Sequence, residues 1–466
     1  MNFIQPNFLI FLFIFCSLYR FLGQRARISI GIIGSFYFYA YFSPLYALLL
    51  LFSSFLDFFV GKALHRSQTT GARRTWLFLS LISNLGMLAF FKYASFFYNS
   101  AAEIFPSLGT MDATIPPMGI SFFTFQTLSY TFDIYRGQLE PTPSFKKFLF
   151  YVSFFPQLVA GPIVRARDFL PQIDAPMEAF SVWKQCLWRF SRGFIKKACL
   201  ADGIGVLLVD PVHADMASAD PLTCWLAVIG YGLQLYLDFS GYSDMAIAIG
   251  RLLGFKFPEN FNYPYLATSF SDFWKRWHIS LSSWLRDYLY ISLGGNRCHP
   301  TRIQVNLMLT MLLGGLWHGA NWTFVIWGAL NGFYLMVEHA FKKIPSPAPA
   351  VSKFLGWSWV LGGWFLSLIF FRSENFEDAL FLFSKLGDLR LGDLAFELSF
   401  AMNAMPTWPI IPLAISGHFL GAYPKLKMKL LNSPPEIRLS LLATLCFWAL
   451  HFYPSGQASP FIYFQF

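Results

Sequence analysis

Long apolar runs recur along almost the whole chain, and they restrict its possible folds more than any other feature. Runs of about 17–25 apolar residues suit helices that cross a bilayer, where every backbone N–H and C=O must be bonded within the segment. Charged residues make up 13% of this chain and hydrophobic residues 55%, whereas a soluble globular protein carries about 25% charge. The sequence therefore predicts an all-α, polytopic integral membrane protein.

Charged loops between the apolar runs indicate how the chain is threaded. Basic loops around Arg66, Arg136 and Lys197 alternate with acidic loops around Glu103 and Asp215. Lys and Arg concentrate in cytoplasmic loops, so the acidic loops are expected outside. The alternation predicts about 11–13 transmembrane helices, together with re-entrant or interfacial helices.

Two stretches are rich in apolar residues but poorly suited to crossing a bilayer. Residues 148–164 are interrupted by Pro156 and flanked by basic residues on both sides, which favours a re-entrant or interfacial piece. Residues 260–296 hold charged side chains among tryptophans and tyrosines. We expect this second stretch to form a helix that lies at, or dips in from, the cytoplasmic face.

The sequence shows no internal repeat, low-complexity tract or separate soluble domain. We therefore expect residues 1–466 to form a single transmembrane domain. Its expected parts are N-terminal helices in 1–145, a core in 146–345 and C-terminal helices in 346–466.

The net charge of +10 does not point to nucleic acid, because no nucleic-acid-binding motif accompanies it. Lys and Arg beside anionic lipid headgroups account for the excess. The six cysteines lack the CxxC spacing of a zinc site and no HExxH occurs, so no metal site is expected. Neither a GxSxG nucleophile elbow nor a Walker A loop nor a dinucleotide fingerprint is present.

One titratable residue, His318, lies in the apolar stretch LLGGLWHGANWTFVIW at 312–327. Ionisable groups within membrane segments are costly and usually face a cavity or a partner. Arg302 and Lys342 place both ends of the two flanking runs inside, so the turn at His318 is expected at the apex of an out-and-back pair. Two interpretations are open: a hydrogen-bonded core histidine, and a general base without a protein nucleophile. The second suits transfer of an activated acyl group to a hydroxyl.

The run LYLDFSGYSDMA at 235–246 is unusually polar for a membrane segment, since it holds Asp238, Tyr242 and Asp244. Its carboxylates either pair with nearby arginines at a helix–helix interface or line a cavity. The sequence leaves both explanations open.

Two blocks carry a family resemblance: SFSDFWKRWHISLSSWLRDYLYISLGGNR at 269–297 and LLGGLWHGANWTFVIWGALNG at 312–332. Both resemble the membrane-bound O-acyltransferase family, in particular its bacterial alginate O-acetyltransferase-like branch. LVAGPIVR at 158–165 and FIYFQF at 461–466 are similar to the same branch. The resemblance covers nearly the whole chain.

The resemblance implies a ring of helices around a central tunnel, in a multi-pass protein of the bacterial inner membrane. It implies that His318, in a Trp-His-Gly context, is the catalytic histidine. The second active-site position, about forty residues earlier in the family, corresponds to His278. The implied reaction passes an acetyl group from a cytoplasmic thioester, acetyl-CoA or another acyl thioester, to an extracytoplasmic polysaccharide such as alginate. No bound cofactor is implied, and a periplasmic acetyltransferase partner often completes the transfer.

In this scheme His318 takes the proton from an acceptor hydroxyl as it attacks the thioester carbonyl. His278 either orients the donor or donates to the developing oxyanion. The other predicted substrate-binding residues are Lys275, Arg276, Arg286, Trp317, Asn321, Asp238 and Tyr242. The three cations suit the phosphates of the donor, and equally suit anchoring to lipid headgroups.

Two alternatives remain. D-alanyl transfer or peptidoglycan O-acyl transfer would use the same fold. A proton- or ion-coupled transporter would instead use Asp238, Asp244, His278 and His318 as a relay. The inverted repeats typical of transporters are not visible in the sequence.

Overall fold

The computed structural model describes residues 1–175, 182–341, 349–389 and 410–423, with a few isolated positions beyond. Over these residues the chain is helical and contains no β-strand. Four helical segments are long and apolar enough to cross a membrane: Pro44–Arg66, Thr70–Ile104, Pro221–Leu252 and Ala350–Arg372. The predicted all-α membrane class is confirmed, and the total of 11–13 crossings stays a prediction.

Twelve helices precede the long central one. They are α1 (Pro6–Phe21), α2 (Gln24–Ala40), α3 (Pro44–Arg66), α4 (Thr70–Leu88), α5 (Ala94–Ile104), α6 (Ile120–Tyr135), α7 (Phe145–Ser153), α8 (Phe155–Leu158), α9 (Ala166–Phe169), α10 (Trp183–Phe194), α11 (Asp202–Ile204) and α12 (Asp210–Ala214). π-Helical turns connect α4 to α5, and connect α10, α11 and α12 into one continuous stretch. The break between α7 and α8 falls inside the stretch 148–164 that the sequence predicted to be interrupted.

The remaining helices follow in the second half of the chain. They are α13 (Pro221–Leu252), α14 (Phe270–Phe273), α15 (Ile279–Trp284), α16 (Pro300–His318), α17 (Trp322–Phe341), α18 (Pro349–Arg372), α19 (Phe376–Gly387) and α20 (Ile410–Gly421). A π-helical turn, Leu285–Tyr290, extends α15.

The chain divides into two compact units. The first comprises Met1–Ser191, Ser243–Glu259 and Ser283–Ser292, and the second comprises Arg192–Tyr242, Asn260–Ser282 and Leu293–Phe466. Both His278 and His318 belong to the second unit. The organisation of 1–466 as one domain, with parts at 1–145, 146–345 and 346–466, stays a prediction.

In the first unit a polar network joins α3, α4 and α6. Asp57 is fully buried and accepts hydrogen bonds from Ser80 Oγ at 2.6 Å, Asn84 Nδ2 at 2.8 Å and Thr131 Oγ1 at 3.3 Å. Such bonds hold helices together where the apolar surroundings offer no water. The network therefore sets how these three helices pack.

In the second unit α16 and α17 form a close antiparallel hairpin. A Cβ at Gly315 would overlap the carbonyl oxygen of Phe324, and a Cβ at Gly328 would overlap that of Met311. Glycine at both positions lets the two backbones touch, as small residues do between membrane helices. The turn between the helices starts at His318, so the two runs form a hairpin, and their out-and-back course through the membrane stays a prediction.

The prediction of one helix over 260–296 was wrong. This stretch begins extended, makes a single 3-10 turn at Pro264–Leu266, and continues through the short helices α14 and α15. Pro264 cannot donate a backbone hydrogen bond and restricts the residue before it. His278 then separates the two short helices with a positive φ of 41°.

Candidate active site

His318 is the last residue of α16 and is enclosed by aromatic rings. Its imidazole lies 5.1 Å from the Trp317 ring, 5.1 Å from the Trp327 ring and 5.2 Å from the Phe371 ring, measured between centroids. All three rings meet it edge to face, at 83°, 85° and 70°. Only 5% of the residue is exposed. Three rigid neighbours thus hold the orientation of the imidazole.

Trp317 brings the second predicted histidine into the same site. Its ring centroid lies 6.1 Å from that of His278 and 5.1 Å from that of His318. Both histidines therefore touch one tryptophan, although forty residues separate them in sequence (318 − 278 = 40). The structure brings together three of the predicted site residues.

His278 adopts a backbone conformation that is rare for a residue with a side chain. Its φ of 41° lies in the left-handed region, which costs about 1–3 kcal/mol and persists only where the surroundings enforce it. Hydrogen bonds supply that enforcement on both sides. Ile279 N donates to Asn260 O, and Asn262 N donates to Arg276 O, each at 2.9 Å.

The side chain of Asn260 determines which nitrogen of His278 carries the proton. Asn260 Oδ1 accepts from Ser280 N at 3.2 Å and from Ser280 Oγ at 2.9 Å. A backbone N–H only donates, so this atom is the amide oxygen. His278 Nδ1, 3.3 Å from the same oxygen, must then be the protonated nitrogen. The neutral ring therefore presents Nε2 as a hydrogen-bond acceptor.

This tautomer distinguishes the two roles predicted for His278, which were to orient the donor or to donate a hydrogen bond to the oxyanion. Burial lowers the pKa of His278 to about 3, and the residue lies outside the four membrane-crossing segments. The ring is then neutral near pH 7, and its Nε2 has no proton to give to an oxyanion. The geometry favours the other predicted role, in which His278 orients a donor by accepting a hydrogen bond.

Comparison with known proteins assigns the chain to a family. The model of the membrane-bound O-acyltransferase family (MBOAT) matches residues 137–374. The chain is 41% identical over 411 residues to the probable alginate O-acetylase AlgI of Azotobacter vinelandii, covering 84% of this chain and 79% of that protein. This chain belongs to the membrane-bound O-acyltransferase family.

Other relatives of this O-acyltransferase act on different polymers. A peptidoglycan O-acetyltransferase of Helicobacter pylori is 39% identical over 75% of this chain and 71% of its own length. A teichoic acid D-alanyltransferase of Streptococcus thermophilus is 30% identical over 52% of this chain and 61% of its own. The protein is thus a multi-pass membrane O-acyltransferase of the AlgI type, which confirms the enzyme interpretation of the sequence.

The three predicted donor-binding cations of the O-acyltransferase have different surroundings. Lys275 is exposed. Arg276 pairs with Asp272 at 2.9 Å, on the turn just before His278. Arg286, in the first unit, pairs with Asp287 at 2.7 Å and its side chain is 62% exposed. All three stay accessible enough to meet an anionic ligand, and their role in donor binding stays a prediction.

Asn321 and Tyr242 have structural contacts. Asn321 Oδ1 accepts from Thr323 N at 3.0 Å, which caps the start of α17. Its Nδ2 donates to the carbonyl oxygen of Glu374 at 2.6 Å and so connects the hairpin turn to the segment between α18 and α19. Tyr242 is buried, and its ring packs 4.7 Å from that of Phe461. Substrate contact by either residue stays a prediction.

Asp238 belongs to a buried ion cluster. Lys197 Nζ lies 2.7 Å from an oxygen of Asp202 and 3.1 Å from an oxygen of Asp238, and all three side chains are at most 3% exposed. Asp244 pairs with Arg189 at 3.0 Å. Both carboxylates are thus in ion pairs, which was one of the two explanations that the sequence left open. The partner of Asp238 is a lysine, whereas an arginine was expected.

Sequence reasoning missed Asn260 and Trp327. Asn260 lies in an extended segment eighteen residues before His278 (278 − 260 = 18), and no periodicity connects such positions. Trp327 had a weak signal, since a hairpin that turns just after His318 brings the first turns of α17 beside it. Among the described residues, no three His, Cys, Asp or Glu side chains converge as a metal site requires.

Replacing Asn260 with Ala should lower kcat by about 10- to 100-fold, because His278 Nδ1 and Ser280 N both lose the side-chain oxygen that accepts from them. The main-chain carbonyl of residue 260 stays, so the bond from Ile279 N is kept. Asn260→Asp keeps the acceptor atom and should retain more activity. Its added charge should also raise the pKa of His278 and shift the pH profile of kcat upward. Equal losses and unshifted profiles in both variants would show that Asn260 only maintains the fold.

Acid should destabilise the enzyme through His278. Its pKa is about 3 when folded and 6.5 in the unfolded chain, so the unfolded state binds the extra proton between these values. Stability then falls as the pH drops below 6.5, by at most about 1.4 kcal/mol per pH unit. His278→Asn lacks this contribution, so melting temperatures in detergent at pH 7 and pH 5 should differ less for the variant. Parallel losses in both proteins would contradict the prediction.

Proposed function

We propose that this O-acyltransferase transfers an acetyl group from a cytoplasmic thioester to a hydroxyl group of an extracytoplasmic polysaccharide, at the bacterial inner membrane. The observation that carries the proposal is the placement of His318. It is a buried imidazole at the turn of a tight helical hairpin, one tryptophan away from His278. The alginate and peptidoglycan acetylases among the relatives support acetyl transfer to a glycan.

His318 acts as general base in the proposed mechanism. Its imidazole takes the proton of the acceptor hydroxyl while that oxygen attacks the thioester carbonyl carbon. Collapse of the tetrahedral intermediate breaks the carbon–sulfur bond, and the leaving thiolate recovers the proton from the imidazolium. The products are an acetate ester and a free thiol. Enclosure of His318 by aromatic rings excludes water and so limits hydrolysis of the donor.

The acyl donor is acetyl-CoA or another acyl thioester in this proposal, and it acts as a substrate rather than a bound cofactor. Lys275 and Arg276 are the proposed contacts for its phosphates. His278 Nε2 accepts a hydrogen bond from the donor and so orients it. A periplasmic partner acetyltransferase is proposed to pass the group on where the polysaccharide itself does not reach His318.

Inner-membrane vesicles from the native cell test both the donor and the direction of transfer, because they keep any partner protein. Inside-out vesicles expose the cytoplasmic face to added [14C]acetyl-CoA, while the lumen holds periplasmic polysaccharide. We expect base-labile label on polymer in the lumen. Vesicles of the opposite orientation serve as the control and should incorporate little label. Incorporation only in the right-side-out vesicles would refute the proposed direction, and none in either would refute this donor.

A further inference from the structure

One face of α17 carries three buried polar side chains, and the middle one contacts His318. Thr323, Trp327 and Asn331 follow one another at intervals of four residues, so they share a face of the helix. Their exposures are 1%, 2% and 0%. Among the residues that the structure describes, Thr323 Oγ1, Trp327 Nε1 and Asn331 Oδ1 each have no hydrogen-bond partner.

Such groups are costly to bury, and native proteins leave few of them unsatisfied. The cost is greater in a membrane protein, where the surroundings offer little water. A hydroxyl, an indole N–H and an amide oxygen on one face form a row of two donor-capable groups and an acceptor. Three successive groups with unused capacity indicate a ligand that meets them.

The position of Trp327 relates this row to the chemistry. Its ring contacts that of His318 at 85°, and it also packs on Phe371 at 5.2 Å and on Trp274 at 6.0 Å. The hairpin glycines keep α17 against the helix that ends in His318. Its indole is therefore a rigid N–H donor beside the proposed base, where the neutral His278 offers only an acceptor at Nε2.

We propose that this face of α17 binds the acyl thioester. The Trp327 indole N–H donates to the thioester oxygen and to the oxyanion that forms there, and Asn331 Oδ1 accepts from the first amide N–H of a pantetheine arm. Four helical residues span about 6 Å. A sulfur and two methylene groups separate the thioester carbonyl from that amide nitrogen, which is a span of the same order. The inference rests on the proposed function and identifies its donor as a pantetheine thioester.

With a pantetheine thioester as donor, the acyl transfer proceeds as follows. As the acceptor oxygen bonds to the carbonyl carbon, His318 takes the hydroxyl proton and the carbonyl electron pair moves onto oxygen, where the Trp327 N–H stabilises it. Re-formation of the C=O breaks the carbon–sulfur bond. The thiolate takes the proton back from His318, and Trp327 keeps its own proton throughout.

Steady-state kinetics with two small donors test the assignment. S-Acetyl-N-acetylcysteamine carries the amide, and S-acetylbutanethiol lacks it. Trp327→Phe should lower kcat about 10²- to 10³-fold with both donors and leave KM nearly unchanged. Asn331→Leu should lower kcat/KM about tenfold with the amide donor only. Trp274→Phe removes another buried indole N–H without a partner among the described residues, and should stay close to the wild type.

Three outcomes overturn the inference: Trp327→Phe matching Trp274→Phe, a change only in KM, or an equal effect of Asn331→Leu on both donors. Should Trp327→Phe fail to fold, benzothienylalanine at position 327 keeps the ring shape and replaces N–H with sulfur, so it should show the same loss of kcat. If the wild type transfers acetyl from neither donor nor from acetyl-CoA, the proposed function fails and this inference falls with it. Transfer by the wild type together with normal Trp327→Phe kinetics sinks only the inference.

Discussion

Replacing His318 with Gln is expected to reduce acetyl transfer by about 10²- to 10⁴-fold, the usual contribution of a general base. Glutamine keeps a polar group of similar reach but cannot take a proton at neutral pH. In the proposed direct transfer the acceptor hydroxyl attacks the thioester itself, so the reaction depends on removal of its proton. The measurement is acetyl incorporation by purified protein or inner-membrane vesicles, normalised to the amount of folded enzyme.

A matched histidine elsewhere controls for general effects. His339, near the end of α17, lies 3.3 Å from Gln304 and is partly buried. His339→Gln should leave transfer within about twofold of the wild type, since the partly buried hydrogen bond between His339 and Gln304 contributes little to stability. Comparable rates in the His318 and His339 variants would remove His318 from the mechanism and leave only its role in packing.

Replacing Lys197 with Met is expected to destabilise the protein by about 3–5 kcal/mol, because it removes the buried cation that Asp202 and Asp238 share. Methionine fills a similar volume, so loss of charge rather than a cavity is tested. Melting temperature and the yield of monodisperse protein in detergent report the change. Combining Lys197→Met with Asp202→Asn and Asp238→Asn should recover much of the loss, since the two buried negative charges are then removed together with the lysine charge.

An exposed ion pair provides the comparison. Lys147 lies 2.6 Å from Asp174, with side chains 31% and 61% exposed. Because water solvates both groups, Lys147→Met should cost no more than about 1 kcal/mol. If the two lysine variants melt at the same temperature, the cluster around Lys197 does not stabilise the fold through its charges.

The sequence alone predicted that the protein is a helical membrane protein and that His318 lies at a turn between two helices. Apolar runs with few charges require helices, because only helices satisfy their backbone bonds within a single segment. Basic residues at both outer ends of the pair around His318 require a turn between them, and the structure has that turn. Both conclusions rest on short-range patterns, which a sequence displays directly.

Residues 260–296 show where such reasoning fails. Their mixture of aromatic and charged residues suggested one interfacial helix, yet Pro264 and the positive φ of His278 divide the stretch into short pieces. The hydrogen bond that Ile279 N donates to the carbonyl oxygen of Asn260 helps to hold that φ. A strained backbone conformation depends on distant partners, and no local propensity predicts it.

Composition and loop charge by themselves determined that this chain is a helical membrane protein, and two motifs determined its family. Only the tertiary structure decided the proton position on His278, the ion partners of Asp238 and the place of Trp327 beside His318. Each of these depends on contacts between residues far apart in the chain. Such contacts follow from packing and hydrogen-bond geometry, which one-dimensional patterns do not encode.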